Sequence, residues 1–158
     1  MRVMCFGTFD NLHPGHLNYF KQSRRFGSEL IIVVARDQNV LKTKGHRPHQ
    51  KEISRARKIR LALKKEGWIG KVVLGSLQNQ YLVLKKYRPA IICLGYDQKV
   101  DLGKLKSAIR EGRLFCKIKR LKPYYPEKYK SSHFRKDVNK KHLSRGEEPL
   151  SLKQGIAN

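Results

Sequence analysis

Residues 7–16 read Gly-Thr-Phe-Asp-Asn-Leu-His-Pro-Gly-His, and this stretch decides the fold class of the chain. The apolar run at residues 3–6, Val-Met-Cys-Phe, comes directly before it and predicts a buried strand. A helix that begins near Pro14 is predicted next, from apolar residues spaced along one helical face: Leu17, Phe20 and Phe26. The two histidines, His13 and His16, are therefore expected where a strand turns into a helix.

A turn of this kind is a natural binding site for phosphate. The first turn of a helix offers unpaired N–H groups and partial positive charge. Gly7 and Gly15 allow the backbone to approach a ligand closely. The imidazoles of His13 and His16 can hydrogen-bond a phosphate and, if protonated, neutralise it. The alternative is a loop with two surface histidines, which His-x-x-His alone would favour, but the full combination of strand, glycines and histidines is much rarer.

Residues 7–16 resemble the signature of the nucleotidyltransferase superfamily of cytidylyltransferases, which has an HxGH-type active site. Residues 34–40 (VARDQNV) and 94–98 (LGYDQ) resemble one branch, the archaeal-type FAD synthetases or FMN adenylyltransferases. The similarity runs over residues 1–135. It implies an α/β fold of the HxGH nucleotidyltransferase type, a Rossmann-like three-layer sandwich with a five-stranded parallel sheet. Such enzymes join a nucleotide to a phosphorylated acceptor and release pyrophosphate.

Predicted strands and helices alternate along the rest of the chain. We predict strands at 30–35, 71–74, 90–94 and 115–121, helices around 53–65, 81–84 and 102–109, and a connection at 42–48. This alternation implies right-handed βαβ crossovers and a parallel sheet. Ligands of such sheets bind beyond the carboxyl ends of the strands. The HxGH stretch and residues 95–97 both follow predicted strands, so we expect them to converge.

Length and composition agree with one cytoplasmic domain. The chain has 158 residues, which we divide into a nucleotidyltransferase domain at 1–137 and a polar C-terminal tail at 138–158. No apolar stretch approaches the roughly 20 residues that span a bilayer, and no signal peptide is visible. Cys5, Cys93 and Cys116 fall in predicted strands, and we expect them to be free, buried thiols of a reducing compartment.

The net charge of +24 is the unusual global feature of the sequence, with 36 Lys and Arg against 12 Asp and Glu. Residues 42–71 hold 11 basic and 2 acidic residues, and residues 99–122 hold 9 and 2. This field attracts anionic substrates, but ATP and a phosphorylated acceptor do not require so much charge. The excess indicates either contact with RNA or another polyanion, or a solvated basic surface without a specific partner.

The resemblance also implies roles for charged residues outside residues 7–16. The family places a mobile lysine after the second strand, for which we choose Lys44, with Lys42 as the alternate. Ser131 or Ser132 can cap a helix, and Arg135 lies one turn further on, where its planar fork could clamp phosphate oxygens. The three match the superfamily's second signature, which holds the β- and γ-phosphates, although a plain capped helix is the alternative.

The remaining site residues are expected around the nucleotide and the acceptor. The predicted nucleotide-binding set is Phe6, Gly7, Thr8, Phe9, Asp10, Gly15, Gly95, Tyr96, Asp97, Ser131 and Ser132. Asp10 is expected to orient a histidine or to approach the metal. Asp37 is expected near the acceptor or the ligand face of the sheet. The family arginine that follows is either Arg55 or Arg57; Arg55 fits the spacing from Glu52 and is expected to contact the acceptor.

The implied reaction needs no proton-abstracting base, because the phosphate of the acceptor is already a nucleophile. His13 and His16 would stabilise the reacting phosphate, with Lys44 and Arg135 completing the catalytic set. Mg²⁺ or another divalent ion is expected with the nucleotide, and no dedicated protein metal site is predicted. ATP with FMN is the expected pair, CTP with glycerol 3-phosphate or a similar phospho-alcohol is the alternative, and a basic RNA- or ribosome-associated protein is the alternative of another class. A homodimer without membrane contact is expected.

Overall fold

The computed structural model describes residues 1–129, which form five parallel strands and five helices. In chain order the elements are β1 (Arg2–Gly7), α1 (Pro14–Arg24), β2 (Glu29–Val34), α2 (Asp37–Lys44), α3 (Glu52–Lys65), β3 (Gly70–Leu74), α4 (Leu82–Tyr87), β4 (Ile91–Leu94), α5 (Leu102–Glu111) and β5 (Lys117–Arg120). Strands and helices alternate as predicted except at α2, an additional helix between β2 and α3.

The strands lie in the order β3-β2-β1-β4-β5, and every pair of neighbours is parallel. Strand β1 is central: its Gly7 pairs with Val34 of β2, and its Cys5 pairs with Cys93 of β4. The strand order reverses between β1 and β4, which makes the carboxyl ends of these two strands the expected ligand crevice. The predicted Rossmann-like α/β fold with a five-stranded parallel sheet is confirmed.

Helices cover both faces of the sheet. On one face α1 and α3 pack against the strands, chiefly through Phe20, Ile59 and Leu63. On the other face α4 and α5 do so, through Leu84 and Leu105. Burial on both sides explains why β2 is a continuous apolar run instead of an alternating one.

Three local expectations were wrong. Residues 42–48 are not simply a connection, because Lys42 and Lys44 lie in the last turn of α2, which ends at Gly45 with a φ of 75°. Phe26 lies beyond α1, which ends at Arg24. Cys116 comes one residue before β5, although it was expected inside the strand.

Other expectations concern the ends and the chemistry of the chain. The thiols of Cys5, Cys93 and Cys116 are free, and Cys116 is only partly buried. Among residues 1–129 no helix is long and apolar enough to cross a membrane. The predicted tail at 138–158 and the predicted C-terminal motif lie outside the described residues.

Candidate active site

The turn after β1 is folded around a phenylalanine. Phe9 adopts a positive φ of 54° and is 4% exposed, with its ring 5.0 Å from that of Phe20. The ring lies directly over Gly7, where an added Cβ would come within 2.6 Å of it. Glycine is therefore needed at position 7, and Phe9 packs in the core and shapes the turn through which the nucleotide was expected to bind.

The two histidines meet at the start of α1. His13 is the N-cap residue, and its Nδ1 accepts a hydrogen bond of 3.1 Å from the backbone N–H of Gly15. This acceptor role leaves the ring proton of the neutral imidazole on Nε2. The ring of His16 stacks on that of His13, with 3.7 Å between the centroids. An added Cβ at Gly15 would come 2.9 Å from the His13 ring, so the close packing of this ring against the backbone requires glycine at position 15.

Burial favours the neutral form of both histidines. Burial lowers the pKa of His16 to about 3, and the neighbouring His13 and Lys44 act in the same direction. Burial also lowers the pKa of His13. Since neutral imidazoles donate hydrogen bonds without adding charge, the positive charge at this turn is supplied by another group.

Lys44 supplies that charge. Its ammonium donates a hydrogen bond of 3.3 Å to the hydroxyl of Thr8, and it is close enough to lower the pKa of His16. Lys42 lies two residues earlier on α2, about 200° around the helix axis. The structure therefore brings Lys44 to the histidines.

Asp10 fixes the loop that follows α2. It is 3% exposed, and its two carboxylate oxygens accept backbone hydrogen bonds from His49 at 2.8 Å and from Gln50 at 3.0 Å. Because both oxygens are engaged by the backbone, this carboxylate holds residues 49–50 against the turn after β1. The expectation that Asp10 orients a histidine or approaches the metal stays a prediction.

Arg55 and Arg57 occupy opposite environments. Arg55 is completely buried, and its guanidinium binds Asp37 at 2.6 Å together with backbone carbonyls, whereas Arg57 is exposed. Arg55 therefore points into the protein, and so does the carboxylate oxygen of Asp37 that binds it. Both had been expected to face the acceptor.

The loop after β4 lies beside the turn after β1, because the two strands are neighbours. Its conformation is held by Arg120 at the end of β5, which donates to the carbonyls of Gly95 at 2.7 Å and Gln98 at 3.1 Å. The backbone N–H of Gly95 also donates a hydrogen bond of 3.1 Å to the side-chain oxygen of Gln98. Tyr96 and Asp97 are carried by this loop, as the sequence predicted, and Asp97 is exposed.

Tyr129 is a site residue that sequence reasoning missed. Its ring stacks on His13 with 6.2 Å between the centroids, and its Cβ is 3.1 Å from the place of a Cβ on Gly15. The ring of Tyr124 stacks on that of Tyr129, with 5.9 Å between the centroids. The clustering of tyrosines at 124–129 was the available signal. The chain thus reaches the histidine pair just before Ser131, Ser132 and Arg135, which lie outside the described residues.

A cavity of about 130 Å³ opens on the other side of β1, at the carboxyl ends of β1, β2 and β3. Thr8 lines it together with four polar residues that sequence reasoning did not select: Asn39, Thr43, Ser76 and Gln80. Residues 75–76 follow a parallel strand, so the rule that pointed to residues 95–97 would also have found them.

Within residues 1–129 no cluster of three or more His, Cys, Asp or Glu side chains could hold a metal ion. Asp10, the carboxylate in the turn after β1, has both oxygens on backbone amides. With so few protein ligands among these residues, a divalent ion would be held mainly by the oxygens of a triphosphate and by water.

Nucleotidyl transfer is the chemistry that this edge of the sheet supports, since neutral hydrogen-bond donors and one cation converge at a helix N-terminus beside the switch point. The protein is a nucleotidyltransferase. It belongs to the family described as cytidylyltransferase-like, whose family model matches residues 4–137.

Its relatives include archaeal proteins that are named FAD synthase. The FAD synthase of Methanothrix thermoacetophila is 44% identical over 125 residues, which cover 79% of this chain and 83% of that protein. The FAD synthase of Aciduliprofundum boonei is 39% identical over 124 residues, covering 78% and 80%. A crystal structure described as a lipopolysaccharide core biosynthesis protein from Thermoplasma volcanium superposes with a TM-score of 0.68 at 37% identity, covering 78% of this chain and 98% of that one.

Proposed function

We propose that this protein is an FAD synthase, which transfers the adenylyl group of ATP to FMN and releases pyrophosphate. The observation that carries the proposal is the stacked pair of histidines at the start of α1, with the ammonium of Lys44 beside them. The choice of ATP and FMN is supported by relatives at 39% and 44% identity that are named FAD synthase.

The bond changes are simple. A phosphate oxygen of FMN attacks the α-phosphorus of ATP in line, and the bond to the bridging oxygen of the β-phosphate breaks. Pyrophosphate leaves with the electron pair of that bond. His13 and His16 donate hydrogen bonds to the non-bridging oxygens as negative charge accumulates, and Lys44 balances that charge. A bound triphosphate also raises the pKa of both histidines, because a nearby negative charge favours the protonated form.

The two substrates would occupy opposite sides of β1. The nucleotide would lie on the β4 side, against the backbone of Phe6 and Thr8 and against the loop of Gly95, Tyr96 and Asp97. The acceptor would enter from the cavity at the ends of β1, β2 and β3, where Thr8 and the polar side chains described above are available. This arrangement assigns acceptor contacts to the cavity and leaves Arg55 with its protein partners.

The leaving pyrophosphate would be held by Ser131, Ser132 and Arg135. Support comes from Tyr129, because its contact with His13 means that the chain reaches the site two residues before Ser131. Arg135→Ala should raise the KM for ATP about tenfold or more, because it removes a charge-assisted contact to phosphate. An unaltered KM would mean that residues 131–135 form a capped helix without a substrate contact.

Mg²⁺ or a similar ion would accompany the nucleotide and neutralise part of the triphosphate charge. The described residues offer His13, His16 and Lys44 to the same oxygens, so the ion would share the phosphates with them. Titration of the protein with ATP in the presence and absence of Mg²⁺ would test this, and equal affinities would argue against a metal–nucleotide complex.

The assay that tests the function offers ATP or CTP together with FMN or glycerol 3-phosphate in the presence of Mg²⁺. Pyrophosphate release and FAD formation with ATP and FMN alone are expected. Release only with CTP and glycerol 3-phosphate would keep the reaction class and reject the substrates. No release in any combination would reject both pairs. Light scattering of the same sample would test the predicted homodimer.

A second candidate function, contact with RNA, is favoured by helix α3. Five exposed cations lie on this helix, with no acidic residue between Glu52 and Glu66: Arg57, Lys58, Arg60, Lys64 and Lys65. We expect a mixed-sequence single-stranded RNA to bind with an affinity that falls steeply as salt rises. Lys58→Glu with Lys64→Glu should weaken this binding more than Lys104→Glu with Lys106→Glu on α5. The absence of binding at physiological salt would remove this candidate.

A further inference from the structure

Arg55 ties together three segments that are far apart in sequence. Its Nε donates to the carbonyl of Gln50 at 3.0 Å, and its Nη2 donates to the carbonyl of Ala35 at 2.7 Å and to Asp37 at 2.6 Å. Its Nη1 donates to the carbonyl of Thr8. A fully buried guanidinium requires such partners, since an unpaired charge in the interior is strongly destabilising.

The starts of α2 and α3 are also locked to each other. The first backbone N–H of α2, at Asp37, donates to the carboxylate of Glu52 at 2.7 Å. The first backbone N–H of α3, at Glu52, donates to the carboxylate of Asp37 at 3.2 Å. Arg36 pairs with Glu52 at 2.9 Å, just as Arg55 pairs with Asp37. Each carboxylate therefore caps the opposite helix, and two arginines balance the two negative charges.

Thr8 connects this network to the reacting groups. Its carbonyl accepts from Arg55, and its hydroxyl accepts from the ammonium of Lys44 at 3.3 Å. Lys44 is carried by α2, whose first turn is held by the same arginine through Asp37. Arg55 thus fixes both the helix that carries Lys44 and the residue, Thr8, that the ammonium of Lys44 contacts.

We propose that Arg55 is a positioning residue, which acts through Thr8 and helix α2 to hold Lys44 beside His13 and His16. This inference rests on the proposed function, in which Lys44 follows the charge of the reacting phosphate. Lysine carries one ammonium without the planar fork, so Arg55→Lys keeps the charge but cannot span the four acceptors. A displacement of catalytic groups by about 1 Å can cost about 100-fold in rate.

The kinetic test compares Arg55→Lys with Arg57→Lys, an exposed position two residues further along the same helix. With ATP and FMN, Arg55→Lys should lower kcat by about tenfold or more and change the KM for ATP by less than about threefold. Arg57→Lys should leave both unchanged. An Arg55→Lys enzyme with the kcat of the wild type would overturn the proposal.

A double-mutant cycle separates positioning from a general loss of stability. If Arg55 acts through Lys44, then Arg55→Lys adds less than about twofold to the kcat loss of Lys44→Gln. If the double variant instead loses kcat by the product of the two single losses, Arg55 acts independently of Lys44, and the proposal is contradicted. Asp37→Asn should reproduce the dependence on Lys44, and it takes the place of Arg55→Lys if that variant does not fold.

A measurement without substrate keeps the two proposals distinct. Amide hydrogen exchange at residues 37–44 should quicken in Arg55→Lys while exchange in β4 stays as in the wild type. Unchanged exchange in α2 would overturn the positioning role. A wild-type protein that forms no FAD would reject the proposed function, and the exchange result would still decide whether Arg55 fixes α2.

Discussion

The turn after β1 and the loop after β4 lie side by side, but they are held in different ways. The first is fixed by buried charges, Asp10 at 3% exposure and Arg55 at 0%. The second is fixed mainly by Arg120, whose hydrogen bonds to the loop are exposed to solvent. Water competes weakly with the buried contacts and strongly with the exposed ones.

This difference matches the demands of the proposed reaction. Groups that stabilise a short-lived charge must already be in place, because reorganisation during the reaction reduces their effect. A loop that contacts the base and ribose only has to bind, and it tolerates some adjustment. Substitutions at the turn after β1 should therefore reduce kcat and stability, whereas those at the loop after β4 should change KM.

His16→Ala should have the largest effect of the changes that test this contrast. Loss of one preorganised donor to a developing phosphate charge costs about 100- to 1000-fold in kcat. FAD formation under single-turnover conditions measures the chemical step, and circular dichroism verifies that the fold is retained. A rate equal to that of the wild type would remove His16 from the catalytic set.

Asp10→Asn should have the next largest effect, and Asp97→Asn on the loop after β4 is its matched control. The amide keeps one acceptor oxygen but turns an NH₂ group towards a backbone N–H, so one of the bonds to His49 and Gln50 is lost. We expect a loss of about 2 kcal/mol in the free energy of unfolding and a kcat reduced about tenfold. Asp97 is exposed, and its substitution should leave stability unchanged. Equal stability losses in the two variants would contradict the contrast.

Arg120→Ala should have a smaller effect that appears in binding. Without its bonds to Gly95 and Gln98 the loop loses order, so the KM for ATP should rise severalfold while kcat changes by less than about twofold. Lys119→Ala, an exposed neighbour on β5, serves as the control. A fall in kcat as large as that of Asp10→Asn would show that both regions contribute equally to the chemical step.

The central strands and the histidine pair could be predicted from the sequence because their signals are local. Strands β1 and β2 are apolar runs, and residues 7–16 carry their glycines and histidines in one continuous stretch. Helix α2 could not be predicted in this way. Its sequence, Asp-Gln-Asn-Val-Leu-Lys-Thr-Lys, has one buried residue, Val40, and its start is fixed by a carboxylate of α3.

The burial of Arg55 is the clearest case of a feature that local sequence does not encode. Arginine in a basic helix normally faces solvent, as Arg57 does. The burial of Arg55 depends on hydrogen-bond acceptors at residues 8, 35, 37 and 50. These acceptors come together only when β1, β2 and the loop before α3 are assembled. The spacing from Glu52 identified the position but did not predict that the side chain is buried.

The last expected effect is a dependence of stability on pH that belongs to the turn after β1. The pKa of His16 is about 3 in the folded protein against 6.5 for an ordinary histidine. Below pH 6.5 the unfolded chain therefore binds a proton that the folded protein excludes, so stability present above this pH is lost as the pH falls towards 3. Each pH unit in this window costs of the order of 1 kcal/mol. Urea unfolding at pH 7.5, 6 and 5 should show a shallower decline for His16→Gln than for the wild type. Arg120→Ala should retain the wild-type slope, because the loop after β4 does not bury this histidine, and a slope unaffected by His16→Gln would contradict the low pKa.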